Sequence, residues 1–516
     1  MDQPVPDTRR CAVTRPPVQP RRKDAGAARL RLVRQLLTES LLLALAGGLI
    51  GIVVAEWTLG VLIRLSPEDL PRLHEVRLDG WVLAFMALVA GATAFLFGLV
   101  PAWQGSRIDA ASLKDGARTT GAGGRTTRRL LVVGQVAASV ALVACAGLLV
   151  RSFERLQRVS PGVDPVNVIT FRVNLPGVNY DTDEKAIAFF ETLAERLRAL
   201  PGVTAAGGTT VLALEGSGWT GDLFIEGRPE VWGRELRHKT IVPGYFAAIG
   251  LPLTRGRDFA ASDTASAPAV AIINETLARM YFQDTDPIGR RVTFGNPQRN
   301  PQVRWATIVG VVRDEKQDSL GKPVAPEVYD THRQNAESGL ALAVRARMAP
   351  ATLLPEVRKT VRELEPGLAL YDVRTLEEVV ARSVSRERFT TWLVTVFAAL
   401  ALTIAAVGVY GVVAFSVSRR TQEIGVRVAL GASRGAIVRL VMAEALGLVG
   451  VGLVIGLAGA AAGGRAIRPL LFETAPTDAV TFAVVAALLA LTAILAGLGP
   501  TRRALSVDPV EALRYE

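Results

Sequence analysis

Six apolar stretches separate the charged segments of the 516-residue chain. Each stretch reaches the roughly 20 apolar residues that a helix needs to cross the hydrocarbon core of a bilayer. They are Leu41–Ile63, Gly80–Trp103, Leu130–Val150, Phe389–Ser418, Ala445–Gly464 and Ala479–Thr501. Six such stretches in one chain are not typical of a soluble core, so the pattern predicts an α-helical polytopic membrane protein with about six transmembrane helices.

The long polar segment 151–388, between the third and fourth stretches, has a different periodicity. Its predicted elements are Val166–Val173, Glu184–Leu200 and Val203–Leu214, followed later by Leu340–Arg347, Ala351–Leu364 and Leu368–Val373. Two strand–helix–strand units of this kind predict an α+β domain of the ferredoxin-like type. The residues between them, Gly216–Tyr329, predict an inserted subdomain with strands Val270–Ile273 and Ala306–Val312 and one helix after Asn274.

Basic residues are concentrated in alternate segments between the apolar stretches. Met1–Arg34 holds nine Lys and Arg residues, Gln104–Arg129 six and Arg419–Arg439 five, whereas Arg64–Asp79 and Arg465–Asp478 hold three and two. Because positive residues remain on the cytoplasmic side, both termini are predicted to be cytoplasmic and segment 151–388 extracytoplasmic. The net charge of +11 is therefore attributed to topology and to contact with anionic lipid. No nucleic-acid partner is expected.

Composition offers few reactive groups. Hydrophobic residues make up 50% of the chain and charged residues 21%, as expected if apolar residues are gathered in blocks. Cys11 lies in a basic tail and Cys145 in an apolar run, so no intrachain disulfide is predicted. None of the three histidines has a second plausible metal ligand nearby, and no Gly-x-x-x-x-Gly-Lys-Ser/Thr phosphate loop occurs. The chain itself is predicted to hold no metal or cofactor and not to be an enzyme.

An internal repeat relates the two ends of the chain. Gly26, Arg34, Glu39 and Gly51 recur at one constant spacing as Gly431, Arg439, Glu444 and Gly456. A helix, a large domain and another helix precede the second copy, whereas only a Pro- and Arg-rich stretch precedes the first. The arrangement predicts one complete four-helix unit preceded by the last two helices of a truncated unit. Glu39 and Glu444 are predicted to interact with a helix dipole or a nearby arginine, in preference to relaying protons.

One predicted cytoplasmic segment combines a short amphipathic helix with signals that end one helix and begin the next. Residues 420–434 read RTQEIGVRVALGASR. Ile424 and Val428 share a helical face, with Glu423 and Arg427 beside it. Gly431 is suited to end this helix, and a serine two residues later is suited to cap the following one.

This segment resembles the cytoplasmic segment of the ABC transporter permeases that include MacB and FtsX, which are of the mechanotransmission type. The sequences VPGYF at Val242–Phe246, RGRDF at Arg255–Phe259 and DPIGR at Asp286–Arg290 resemble outer-domain motifs of larger members of that family. The similarity covers about residues 26–516, and the tandem units resemble the duplicated permeases of the family. The resemblance implies that a separate ABC ATPase binds ATP and contacts a coupling segment containing Glu423, Ile424, Gly425, Arg427, Gly431 and Ala432.

The resemblance also implies a division into domains. The expected parts are a basic cytoplasmic tail (1–25), a partial FtsX-like unit with two transmembrane helices (26–117), a cytoplasmic linker (118–129), a transmembrane helix (130–150), a MacB-like extracytoplasmic core domain (151–388) and a complete FtsX-like unit with three transmembrane helices (389–516).

The implied function is transmission of ATP-driven motion from the ATPase to the outer domain, for export or envelope work at a bacterial inner membrane. The expected assembly is a homodimer or a pair with another permease unit. The alternative is a non-transporting regulator or sensor whose outer domain binds a ligand or a cell-wall hydrolase.

Overall fold

The computed structural model describes residues 22–65, 77–106, 122–216, 218–229, 233–283, 285–300 and 302–505. Cys11, the predicted tail up to residue 21 and the beginning of the predicted linker 118–129 lie outside these residues. The chain divides into two compact units. The first contains the described residues up to Val136, Ala405–Gly452 and the residues from Ala493 onward, and the second contains Ala137–Ile404 and Leu453–Thr492.

Twelve α-helices occur in the described residues. In chain order they are α1 (Arg22–Leu65), α2 (Gly80–Ser106), α3 (Ala122–Gln157), α4 (Asp183–Arg198), α5 (Tyr245–Ile249), α6 (Glu275–Tyr281), α7 (Pro350–Leu364), α8 (Leu376–Ser383), α9 (Ser385–Arg419), α10 (Thr421–Ala429), α11 (Arg434–Ile467) and α12 (Ala479–Leu505). Helix α3 begins inside the segment predicted as a linker, so most of that linker is helical.

Within the described residues, five helices are long and apolar enough to cross a membrane. The spans are Leu41–Arg64, Arg129–Gln157, Ser385–Arg419, Arg434–Leu470 and Ala479–Arg503. The remaining predicted stretch, Gly80–Trp103, forms helix α2. Its apolar part within the described residues, Gly80–Thr93, is shorter than a membrane span. Five predicted spans are thus confirmed as candidates by length and composition, and the sixth stays a prediction.

Contacts join the long helices within each unit. In the first unit, α1 packs along α2. In the second unit, the buried Ser139 of α3 donates its Oγ hydrogen to the carbonyl of Ala401 in α9, at 2.8 Å. Such bonds between helices are favoured where lipid offers a hydroxyl group no other partner.

Eleven strands of the second unit form one mixed sheet. In chain order they are β1 (Val168–Asn174), β2 (Val203–Thr209), β3 (Trp219–Ile225), β4 (Arg234–Val242), β5 (Leu253–Gly256), β6 (Val270–Asn274), β7 (Arg291–Thr293), β8 (Ala306–Val312), β9 (Glu327–Thr331), β10 (Gly339–Ala346) and β11 (Tyr371–Thr375). The path through the sheet is β11-β1-β10-β2-β4-β3-β7-β8-β6-β9, with β5 added to β8 and a further pairing of β4 with β9.

The first four strands of this path confirm the predicted ferredoxin-like pair of units. Strands β11, β1, β10 and β2 pair antiparallel throughout. Apolar residues of α4 and α7, including Phe190 and Val357, pack with strand residues such as Phe171 in a common core. Strand β11 begins later than predicted, because Leu368 and Leu370 pack against this core from the turn after α7 and do not pair in the sheet.

The inserted residues contain the predicted strands β6 and β8 and the predicted helix α6, and they add a feature that was not predicted. Strands β4, β3, β7, β8, β6 and β9 pair in that order, and β9 pairs back onto β4, so the six strands close a small barrel. Alternate side chains, including Leu223, Ile273 and Val328, fill its interior. The end of β4 also pairs with β2, so the insert continues the ferredoxin-like sheet.

A buried ionic cluster lies on the outer side of the barrel strands. Lys239 of β4 is 2% exposed, and its Nζ lies 2.6 Å from Glu315 and 3.5 Å from Glu327, which are 0% and 1% exposed. The hydroxyl of Tyr329 donates to Glu327 at 2.9 Å. Burial alone would lower the pKa of Lys239, but the two carboxylates outweigh it and raise that pKa. Burial raises the pKa of Glu315. The lysine is therefore the cation that keeps two carboxyl groups in the core.

The Lys239→Met variant should be strongly destabilised near neutral pH, by about 3–5 kcal/mol, because it leaves two buried carboxylates without a cation. Part of the loss should be regained as the pH is lowered, since protonation removes the uncompensated charge and burial already raises the pKa of Glu315. The measurement is the unfolding midpoint of the purified protein across a pH series. Lys185→Met is the control, because Lys185 pairs with Asp181 at the surface. Equal losses in both variants, or no recovery in acid, would contradict the role of Lys239.

Candidate functional site

The predicted coupling segment forms a separate short helix, α10, between the membrane helices α9 and α11. Ile424 is 2% exposed and Gly425 is buried, so one face of α10 packs inward. Glu423 and Arg427 lie on the exposed face and form an ion pair at 2.7 Å, four residues apart. The predicted amphipathic pattern is present at these four residues. The side chain of Val428 lies outside the described residues.

The predicted helix boundaries are also present. Gly431 has φ of +86°, the left-handed conformation in which a residue without a Cβ is favoured after a helix. The N–H of Ala432 returns to the carbonyl of Arg427 at 2.9 Å, as in a Schellman motif. Ser433 Oγ accepts the N–H of Ala436 at 3.3 Å and so caps α11. The chain therefore reverses between α10 and α11 through a fixed turn.

Ile424 anchors α10 in the first unit. It lines an apolar crevice with Val413 and Val417 of α9 and with Leu440 and Val441 of α11. The N–H of Ile424 also bonds to the carbonyl of Arg420 at 2.8 Å, which continues the hydrogen-bonding from the end of α9 into α10. A movement of α10 would therefore act on both membrane helices.

A carboxylate lies at the inner wall of this crevice. Glu444 of α11 is 15% exposed in its side chain and forms an ion pair with Arg129 of α3. Its other oxygen accepts the Ser416 hydroxyl at 2.8 Å and lies 3.6 Å from Arg420. Residues from α3, from α9 and from the start of the coupling segment therefore converge on one acid. We call Glu444, Arg129, Ser416 and Arg420 the Glu444 cluster.

Of the two interactions predicted for Glu444, the contact with an arginine is present and the contact with a helix dipole is not. An arginine does contact it, but α11 begins at Arg434, so Glu444 lies in the third turn and not at the helix start. Sequence reasoning counted Arg129 and Arg420 only as orientation charges and missed their role here. The one sequence feature that pointed to this site was the internal repeat, in which Glu444 recurs at the position of Glu39. Its counterpart Glu39 lies far inside α1 and is exposed.

In the second unit, a different polar contact joins α3 to the loop before α12. Arg151 of α3 forms an ion pair with Asp478. Asp478 also accepts both the N–H and the hydroxyl of Thr481, at 2.9 and 2.7 Å, and so caps α12. One turn of α3 further on, Leu156 packs with residues of the outer domain, including Leu320 and Val384. Helix α3 is thus fixed to the outer domain by apolar packing.

Comparisons with known proteins agree with this architecture. The model of the MacB-like periplasmic core domain matches residues 130–364, and the model of the FtsX-like permease C-terminal domain matches 22–110 and 395–509. The macrolide export ATP-binding/permease protein MacB of Marinobacter nauticus is 26% identical over 284 residues, which are 51% of this chain and 41% of that protein. The uncharacterized ABC transporter permease YknZ of Bacillus subtilis is 27% identical over 287 residues, 53% of this chain and 68% of that protein.

Among solved structures, the periplasmic region of MacB from Actinobacillus actinomycetemcomitans is 15% identical, with a TM-score of 0.30. It covers 44% of this chain and 95% of its own. The chain spans about two fifths of the length of the MacB relative in Marinobacter nauticus.

A multi-pass helical chain with this outer domain and a duplicated permease segment defines a membrane permease subunit. The two family models together account for most of the sequence, including both copies of the repeat. The chain belongs to the family of MacB- and FtsX-like ABC transporter permeases.

Glu444→Gln should destabilise the first unit by roughly 1–3 kcal/mol, because it removes the charge that Arg129 and Arg420 share. With one anchor lost, α10 should open more often, so trypsin should cut faster after Arg420 and Arg427. The measurements are the unfolding midpoint in detergent and the rate of cleavage at these two sites. Glu39→Gln, at the same repeat position on an exposed site, should change neither; an equal effect of both variants would contradict the proposed role of the Glu444 cluster.

Proposed function

We propose that this chain is the transmembrane subunit of an ABC system and transmits ATP-driven motion from a separate ATPase to the outer domain. The observation that carries this proposal is the construction of α10. Its inward face is held by Ile424 and by the adjoining Glu444 cluster, while Glu423 and Arg427 remain half exposed as a compact pair of charges. This is the form expected of an element on which a partner protein pushes.

The contacts of α10 connect it to three membrane helices through which a force on α10 is transmitted. Load on α10 reaches α9 and α11 through the crevice around Ile424, and it reaches α3 through the pair of Arg129 with Glu444. Helices α3 and α9 are both continuous from this region to residues beside the outer domain, Gln157 and Ser385. Helix α8, which leads into α9, begins at a capping box made by Thr375 and Glu378, so its start is fixed.

The remaining parts of the proposal concern the setting in the cell. Both termini and α10 lie in the cytoplasm, the sheet domain lies outside it, and the membrane is the bacterial inner membrane. ATP is bound by the partner, and the chain works as a homodimer or with another permease unit. The basic segments contact anionic lipid. The work is export or an envelope task.

Arg427→Glu tests the ATPase contact. It should leave insertion and abundance unchanged but weaken co-purification with the cognate ABC ATPase and abolish stimulation of its ATP hydrolysis in lipid. The variant also places two acids four residues apart, which costs α10 about 0.2–0.5 kcal/mol. The double exchange Glu423→Arg with Arg427→Glu restores an opposite-charge pair within the helix while still reversing the pattern that a partner meets. It should therefore remain defective.

Arg502→Glu, at an exposed arginine of α12, is the matched control and should behave like the parent. Arg118→Glu, in the other predicted inner loop, serves the same purpose, although that residue lies outside the described residues. If the double exchange restored coupling, the defect of Arg427→Glu would be explained by a less stable α10 and not by a lost contact with the ATPase. Normal coupling in Arg427→Glu would remove the assignment and favour the regulatory alternative.

Orientation is tested by single cysteines in a protein that lacks Cys11 and Cys145. Val178, 92% exposed in the outer domain, and Leu430, 83% exposed after α10, offer two accessible positions. Val178→Cys should react with a membrane-impermeant maleimide in intact spheroplasts, and Leu430→Cys should react only after permeabilisation. The reverse pattern would overturn the predicted topology.

A further inference from the structure

The six-stranded barrel of the outer domain is open at one end. There, a cavity of about 260 Å³ is lined by inward-facing residues of the last layer and by residues of the adjacent loops. We call this cavity the barrel mouth and define it by Trp219, His238, Phe294, Arg304, Ala306 and Asp330. Barrel mouths are among the places where proteins hold small molecules.

The floor of the barrel mouth is apolar, and aromatic rings lie beside it. Val292 and Val328, each 1% exposed, separate it from the barrel core. The rings of Trp219 and Phe294 pack edge-to-face against His238, with centroid distances of 5.0 and 4.8 Å. Two alanines, Ala269 and Ala306, also line the cavity. Trp219 is 59% exposed, so its ring lies at the rim of the cavity and remains accessible to a ligand.

Two opposite charges line the same cavity. Asp330 uses Oδ2 to accept from His238 Nε2, and its Oδ1 receives no hydrogen bond from the described residues. Arg304 donates from Nη2 to the carbonyls of Ala265 and Ala267, both at 3.2 Å, which holds the guanidinium at the rim. Its Nε and Nη1 make no hydrogen bond within the described part of the chain. One acceptor and one donor edge are therefore available to a ligand.

We propose that the barrel mouth binds a small zwitterionic ligand with an apolar side chain, namely an apolar amino acid or an apolar dipeptide. The ammonium group is received by Asp330 Oδ1 and the carboxylate by the open edge of Arg304. The side chain rests on the valine floor beside Trp219 and Phe294. The cavity volume suits a group of this size. A zwitterion uses both the free Oδ1 of Asp330 and the open edge of Arg304, whereas a ligand of one charge sign uses only one of them. The proposal does not depend on the ATPase.

The test is calorimetric titration of the full-length protein in detergent. The probes are L-phenylalanine, its N-acetyl derivative, its methyl ester and the dipeptide phenylalanylalanine. The parent protein should bind L-phenylalanine or the dipeptide at one saturable site, and the two blocked derivatives about tenfold more weakly than the free amino acid, since each loses one charged contact. Ala306→Phe fills the cavity and should abolish binding.

Crossing probes with variants separates loss of contact from loss of fold. Arg304→Met should weaken binding of L-phenylalanine about tenfold but leave binding of the methyl ester unchanged, because the ester lacks the carboxylate. Asp330→Asn should weaken binding of L-phenylalanine about tenfold but leave binding of the N-acetyl derivative unchanged, because that derivative lacks the ammonium group. Arg299→Met, an exposed arginine nearby, should change nothing. Binding of the dipeptide alone supports the proposal with a peptide as ligand. Absence of saturable binding by any probe, equal affinity for blocked and free forms, or full binding by Ala306→Phe would overturn it.

Discussion

A carboxylate enclosed between membrane helices requires cations or hydroxyl donors, and this requirement shapes the first unit around Glu444. Glu444 satisfies it through Arg129 of α3, Ser416 of α9 and Arg420 at the start of the coupling segment. Because these partners come from different helices, the acid fixes their relative positions at the place where α10 turns away from α9. The crevice that holds Ile424 is lined by Arg420 and Glu444 of this cluster. Glu423 and Arg427 lie on the other, exposed face of α10.

The two copies of the repeat show that position in sequence does not set the role of a residue. Glu39 and Glu444 occupy the same repeat position, yet Glu39 is exposed on α1 whereas Glu444 is enclosed by its partners. The second copy is preceded by α9 and α10, which supply Ser416 and Arg420. The environment of an acid is created by neighbouring helices, and Ser416 and Arg420 create that of Glu444.

Local signals were sufficient for the parts of the structure that local physics determines. The long helices, the ferredoxin-like strands, the turn at Gly431 and the cap at Ser433 each follow from a few consecutive residues. The barrel does not, because its closure requires β4 to pair in parallel with β9, which lies far along the chain. Strand β7, with three residues, is also too short to be distinguished by period. The ion pair of Arg129 with Glu444 joins residues 315 positions apart, and no periodicity within one helix can indicate such a contact. Lys239 likewise reads as an ordinary polar residue of a strand until the fold encloses it.

Strand β4 connects the features of the outer domain that sequence reasoning missed. Successive residues of a strand point to opposite faces, so His238 enters the barrel mouth while Lys239 enters the buried cluster with Glu315 and Glu327. Two residues later the same strand pairs with β2 of the ferredoxin-like half. The barrel mouth, the ionic cluster and the junction of the two halves are therefore joined by one nine-residue strand. The sheet to which this strand belongs also contacts α8 through β1 and β11.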